Sequence, residues 1–351
     1  MHNRSARPRT SVLGVGRIYI CRVTPTPLPP KPFLAISDQV ARLRGRGMVC
    51  EDAETTQWLT AVGYYRLSGY WYPFRETNPA DRQRPLDTFS TGTSFTEVAR
   101  LYEFDRHLKS KVHSGVERIE VAMRSQLGHL LGEIDPMAHE NPANFRPGFD
   151  HSGWLKTARG RIARSRGRDA FVDHHFTKYG GHLPIWVLTD ILDFADLSKL
   201  FAGMRSADQQ ELSGWFAITP PPPDPRASAA SQRRQRRKWR QHPALESWLL
   251  QLSVVRNICA HHSRLWNRQL PPATTAALRA VPGFDGLPKD QSERIFGTLC
   301  MIGVLLRTTS PGSTWTHQVK ELVTTSFDQL DNHTTAEMGF PPGWETLPLW
   351  T

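Results

Sequence analysis

Lysine is scarce in this 351-residue chain: nine lysines leave 35 of the 44 basic residues as arginine, the side chain that grips phosphate bidentately. Acid is short as well, with 33 Asp and Glu, so the formal charge is +11. The excess points to a polyanionic partner, although a compositional bias toward arginine alone produces the same charge. The four cysteines, Cys21, Cys50, Cys259 and Cys300, lie far apart. With no CxxC pair and no Cys/His spacing suited to zinc, they exclude a disulfide framework and a zinc finger and suit a reducing compartment. No apolar run is long enough to span a bilayer; the longest, from Ile295 to Leu306, falls well short. Arg17 interrupts the one apolar stretch near the basic N-terminus, which argues against a secretory signal. The expectation is a cytoplasmic protein without a membrane. Runs of alternating β-branched residues are missing too, so the fold class expected is all-α.

Residues 1–30 are rich in Arg and Pro without periodicity and read as a disordered extension outside the fold. The folded region is expected over 31–350. Ile36, Val40 and Leu43 fall at helical spacing, Gly47 stops that helix, and a second starts near Asp52. It leads into the aromatic segment from Tyr64 to Phe74, whose Tyr and Trp beside Gly suit core and turn, or the stacking of unpaired bases. Ser94 with Glu97 reads as a capping box. It opens a helix to about Leu131, with Val98, Leu101, Phe104, Leu108, Val112, Val116, Ile119, Met123, Leu127 and Leu130 in three- and four-residue steps, a scaffold helix by its length. A basic helix follows around Trp154 to Arg168, then an apolar one around Pro184 to Phe201. Pro220 to Pro223 and the run Arg233-Arg-Gln-Arg-Arg-Lys-Trp-Arg240 mark 219–243 as a disordered basic insert. Helical periodicity resumes at Leu245, and a last long helix lies near Ser292 to Thr308.

The sharp local signal is Arg256-Asn257-x-x-x-His261. An Arg with a His five to seven positions on should occur by chance about four times in this composition; requiring Asn directly after Arg lowers that to a few hundredths. At 100° per residue Asn257, His261, Arg264 and Arg268 share a polar face, whereas Arg256 projects into the apolar stripe of Leu245, Leu249, Leu252 and Cys259. An unpaired guanidinium there is costly, so it needs an acid, Glu117 or Glu120 of the scaffold helix, or a subunit interface. Glu120 is the better partner. His262 also fits the spacing but turns away from the Asn257 face and reads as structural. Asp105 and Arg106 read as an ion pair on the scaffold helix, and Arg124 with His129 as a weaker second Arg/His pairing.

Arg256-Asn257-x-x-x-His261 resembles the signature of HEPN domains, helical RNases of toxin and abortive-infection systems. The surrounding words resemble the Abi-like group related to the AbiD and AbiF proteins: Lys31 to Gly47, Tyr64-Tyr-Arg-Leu-Ser-Gly-Tyr70, Leu101-Tyr-Glu-Phe-Asp-Arg106, Ile119-Glu120 with Arg124, Pro184-Ile-Trp-Val187, Arg256 to Arg268 and the tail Gly339-Phe-Pro. The first 30 residues and the insert at 219–243 depart from the pattern. The resemblance implies a HEPN-type helical bundle, its core at about 94–310, with additional N-terminal helices. It also implies a catalytic Arg256, Asn257 and His261, with Glu120 and Arg124 supporting them. Tyr64, Tyr65, Arg66, Arg264 and Arg268 are then the residues expected on RNA. Cleavage needs no cofactor and no metal, because RNA carries its own 2′-hydroxyl nucleophile. The implied partners are RNA, a second copy of the chain in a symmetric homodimer, and a neutralising antitoxin protein or small RNA. Two other readings stay open: a non-catalytic RNA-binding module, and a DNA-binding regulator, against which the lack of a helix-turn-helix pattern counts.

Overall fold

The computed structural model describes residues 30–81, 83–220, 223–281, 284, 287 and 291–351, without the side chain at 292. The extension expected over 1–30 therefore lies outside the described residues apart from Pro30, as does Cys21. The described chain is all-α. In order run α1 (Ile36–Gly45), α2 (Asp52–Ala61), α3 (Tyr64–Trp71), α4 (Phe95–Ile134), α5 (His151–Ser165), α6 (Ala170–Tyr179) and α7 (Ile185–Ile191). Then come α8 (Phe194–Gly203), α9 (Ser206–Trp215), α10 (Ala229–Gln241), α11 (Ala244–Ala260), α12 (Ala276–Arg279), α13 (Ile295–Thr309) and α14 (Trp315–Leu322). No strand forms among the described residues; extended pairing is limited to isolated bridges such as Val49 with Ser94.

Helix α4 organises the rest. Its 40 residues extend about 60 Å at 1.5 Å each. Its apolar positions, from Val98 and Leu101 through Val112 and Ile119 to Leu127, are buried on the face that α3, α7, α8, α11, α13 and α14 cover. Ser94 caps it by accepting the Glu97 amide at 3.2 Å. The reciprocal half of the expected capping box does not form. Glu97 instead accepts from the Asn332 backbone (3.1 Å) and side chain (2.7 Å), tying the C-terminal segment to the start of α4. One apolar core follows, from Val40 near the N-terminus to Trp350 near the C-terminus.

Two expectations are corrected here. The apolar segment 184–201 is two helices, because Asp193 stops α7 and caps α8 in a box with Asp196. The insert 219–243, expected to be disordered, carries α10. Apart from Ser231 and Trp239 its residues are Ala, Gln, Arg and Lys, all good helix formers, and the Ser228 hydroxyl caps it by accepting the Ser231 amide at 3.2 Å. What it lacks is an apolar period: only Trp239 packs against the core.

Candidate functional site

The Arg-Asn-x-x-x-His segment occupies the C-terminal end of α11, a helix whose Leu245, Trp248, Leu249, Leu252 and Val255 are buried against its neighbours. The helix ends at Ala260 in a Schellman turn. The His262 amide donates to Cys259 O (3.0 Å) and the Ser263 amide to Ile258 O (3.0 Å), while His262 takes the left-handed conformation at φ +54°. Histidine is among the non-glycine residues enriched in that region, so His262 is a turn residue, in keeping with the structural role expected of it. His261 is the C-cap, its amide donating to Asn257 O at 2.9 Å. This turn corrects the polar-face expectation: Asn257 and His261 stay together and exposed, but Arg264 and Arg268 lie beyond the helix.

Arg256 points the other way, roughly 140° around the helix from His261. Its Nε stands 3.6 Å from Glu120 Oε2 on α4, a charge contact too long for a hydrogen bond. Glu117, the other acid considered, is exposed. Glu120 is almost fully buried and also receives Arg124 Nη2 at 2.6 Å, so one carboxylate sits between two guanidiniums. Arg124 is used up in this position: its Nε donates to Thr189 O (3.1 Å) and its Nη2 to Leu192 O (3.1 Å) as well. Arg256 has no hydrogen-bond partner among the described residues, and 35% of its side chain is exposed. The same holds for hydrogen bonding at the side chains of Asn257 and His261. Asn257 and His261 are therefore displayed at the end of a rigid helix with their side chains free of hydrogen bonds, beside an Arg256 that is partly exposed and held by charge alone.

The support behind that display is a group the sequence reading assigned differently. Asp105, expected to pair with Arg106, is fully buried and pairs with Lys109 at 3.1 Å, whereas Arg106 pairs with Glu103 at 2.7 Å on the surface. The Asp105 carboxylate also accepts the Trp266 amide (2.8 Å), the Leu265 amide (3.1 Å) and the Tyr70 hydroxyl (2.7 Å). It thus fastens α3, α4 and the strand of chain leaving the motif turn to one point. Burial, and then the Asp105 charge, push the Tyr70 phenol far above its ordinary range, so it stays a donor. Burial pushes the Cys259 thiol up to about 12, so it remains protonated and unreactive. The four-residue spacing of Asp105 and Lys109 was the available signal for this centre.

The residues expected on RNA divide into two groups. Arg264 is half-buried and its Nη1 donates to Gly69 O; burial lowers its pKa. Arg66 Nη1 donates to His262 O at 2.7 Å. Both arginines thus clamp α3 against the motif turn, a structural use in place of the expected phosphate contacts. Tyr64 packs edge-on against Trp71 and accepts from Arg46. Tyr65 is 92% exposed and Arg268 is exposed, so these two remain open to a ligand. Of the weaker Arg124/His129 pairing, both side chains line one cavity beside Trp186, but Arg124 is held as described and His129 stands 3.1 Å from Glu133.

The fold and this site define an all-helical protein that displays an Arg-Asn-x-x-x-His turn, braced by buried charge, at the end of a helix. The family described as Abi-like protein matches residues 57–267, which run from α2 through the motif turn, and the chain belongs to that family. No curated protein and no solved structure matches it. Among the described residues no helix is long and apolar enough to cross a membrane.

Proposed function

We propose that the protein is a HEPN-type endoribonuclease that acts on RNA in the cell that makes it, in the abortive-infection role its family name carries, held in check until infection or stress. The observation that carries this is the set of Arg256, Asn257 and His261, exposed or partly so and without side-chain hydrogen bonds, on a turn held by its own backbone bonds, by Arg66 and Arg264 and by Asp105. In the reaction the ribose 2′-oxygen forms a new bond to the adjacent phosphorus as the bond from phosphorus to the 5′-oxygen breaks. The 2′-hydroxyl proton leaves to a base and a proton arrives on the departing 5′-oxygen, giving a 2′,3′-cyclic phosphate and a 5′-hydroxyl end. An imidazole titrates in the range such transfers need, and a guanidinium stabilises the charge that builds on the phosphate. Asn257, on the His261 side of the helix, orients the imidazole or a phosphate oxygen. The nucleophile belongs to the substrate, so the scheme calls for no metal and no cofactor.

Labelled RNA incubated with the purified protein in EDTA should be cut, with cyclic-phosphate ends, and His261→Ala should abolish cutting while RNA still binds. Wild type and His261→Ala that shift RNA equally and cut nothing would make the protein a non-catalytic RNA-binding module. Duplex DNA that competes better than RNA at matched salt would make it a DNA-binding regulator.

A further inference from the structure

Away from the motif turn, α8, α10 and the N-terminal half of α11 enclose a cavity of about 860 Å³. Its wall combines an apolar floor and a cationic rim. Trp239, half-buried with one side against the core, and Leu250, 54% exposed, supply apolar surface, while Lys199, Arg236 and Lys238 supply charge. The single acid in the lining, Glu246, is already paired with Arg146 at 3.4 Å, so the site is electropositive. Helix α10 reinforces the sign. It carries Arg233, Arg234, Arg236, Arg237, Lys238 and Arg240 without one Asp or Glu. A helix of like charges repels itself, and no acid among the described residues pairs with that charge, which an anion in the cavity would offset.

The cavity also has a fixed relation to the motif turn. Glu246, Leu250, Asn257 and His261 fall within about 60° of one another around α11, and Asn257 lies about 16 Å along the helix from Glu246. The cavity and the exposed His261 therefore open on one face of one helix, a few nucleotides apart along an extended strand.

We infer that the cavity bounded by α10 binds a nucleotide, with the base stacked in the apolar cleft against Trp239 and the phosphate held by Lys199, Arg236 and Lys238. A cavity of this size is in the range of small-ligand sites, and an aromatic floor beside cations is the pairing that recognises a π-face joined to a phosphate. The nucleotide comes either free or as one unit of a single-stranded RNA laid along α11 toward His261. The second source rests on the ribonuclease reading for its purpose but not for its binding.

Fluorescence anisotropy of a labelled 2′-O-methyl single-stranded RNA reads binding without cleavage, because that RNA lacks the nucleophile. Trp239→Ala should weaken binding about tenfold. Arg236→Gln with Lys238→Gln should weaken it clearly more than Arg233→Gln with Arg234→Gln, which takes the same charge from α10 outside the cavity. Circular dichroism of each variant checks that the helices persist. AMP and GMP that displace the RNA and lose affinity with Trp239→Ala identify a free nucleotide as ligand; loss confined to the RNA identifies the strand. The inference is overturned if Trp239→Ala binds as wild type does, if the two double variants are equivalent, or if polyglutamate displaces RNA as well as a nucleotide polymer does. Cleavage by the wild type is a separate readout, so either reading can fail while the other stands.

Discussion

Asp105 shows how much one carboxylate can hold when it is removed from water. It is fully buried and balances the Lys109 ammonium 3.1 Å away while accepting two backbone amides and a phenol. Breaking a buried pair by neutralising one member leaves the other uncompensated, which costs about 3–5 kcal/mol, whereas removing both charges is far milder. Asp105→Asn should therefore lower unfolding free energy by that amount in urea titrations. Lys109→Met added to it should recover a large part, a coupling that a double-mutant cycle measures. Additive losses would mean that the amides of Leu265 and Trp266, and not the ammonium, are what Asp105 serves. At this scale the sequence was informative where chemistry forces a pairing. Arg256 has to meet an acid because it faces an apolar stripe, and Glu120 supplies one. The sequence was silent where a polar side chain chooses backbone atoms. Arg66 and Arg264 look like phosphate ligands in a linear reading because nothing local reveals that the carbonyls of His262 and Gly69 will be within reach.

Among the elements, α4 was legible because its apolar residues hold one period over its whole length, and α10 was not because it has no such period to read. The end of α11 escaped for a different reason. A Schellman turn is usually announced by glycine, and here histidine occupies the left-handed position, so the polar face extrapolates two residues too many, to Arg264 and Arg268. Close helix approaches leave a clearer test. Gly115 in α4 sits where an added Cβ would come within 2.6 Å of Ile302 Cγ2 on α13 and 2.9 Å of the Trp315 ring. Gly160 in α5 faces open space. The usual gain from replacing a helical glycine, about 0.5–1 kcal/mol, should appear at Gly160→Ala as a higher denaturation midpoint. Gly115→Ala should do the reverse, losing about 1–3 kcal/mol to overpacking. Equal behaviour of the two would show that α13 and Trp315 can retreat at no cost.

For the whole molecule, what matters to the proposed reaction is where the two reactive groups lie. Arg256 faces α4 and Glu120, and His261 lies roughly 140° away around α11, so the charge stabiliser and the proton carrier of one copy do not converge. We propose a two-fold arrangement in answer, one that would set the Arg256 of one copy beside the His261 of the other and repeat the pairing by symmetry. Exposed apolar side chains accompany the C-terminal half of α4 beyond Glu120: Val121 is 57% exposed, and Trp186 of α7, which packs at Gly128 and Gly132, is 49% exposed. If the site is shared in this way, His261→Ala and Arg256→Ala, each inactive alone, should restore cutting when mixed under conditions that allow exchange, because a mixed pair joins the Arg256 of one chain to the His261 of the other. An equal mixture puts about half of the pairs in mixed form with one intact site each, so roughly a quarter of wild-type activity should return. A mixture as inactive as its components, together with a wild type that cuts as a monomer in sedimentation, would mean that a single chain cuts RNA and that its own Arg256 swings away from Glu120 to do so.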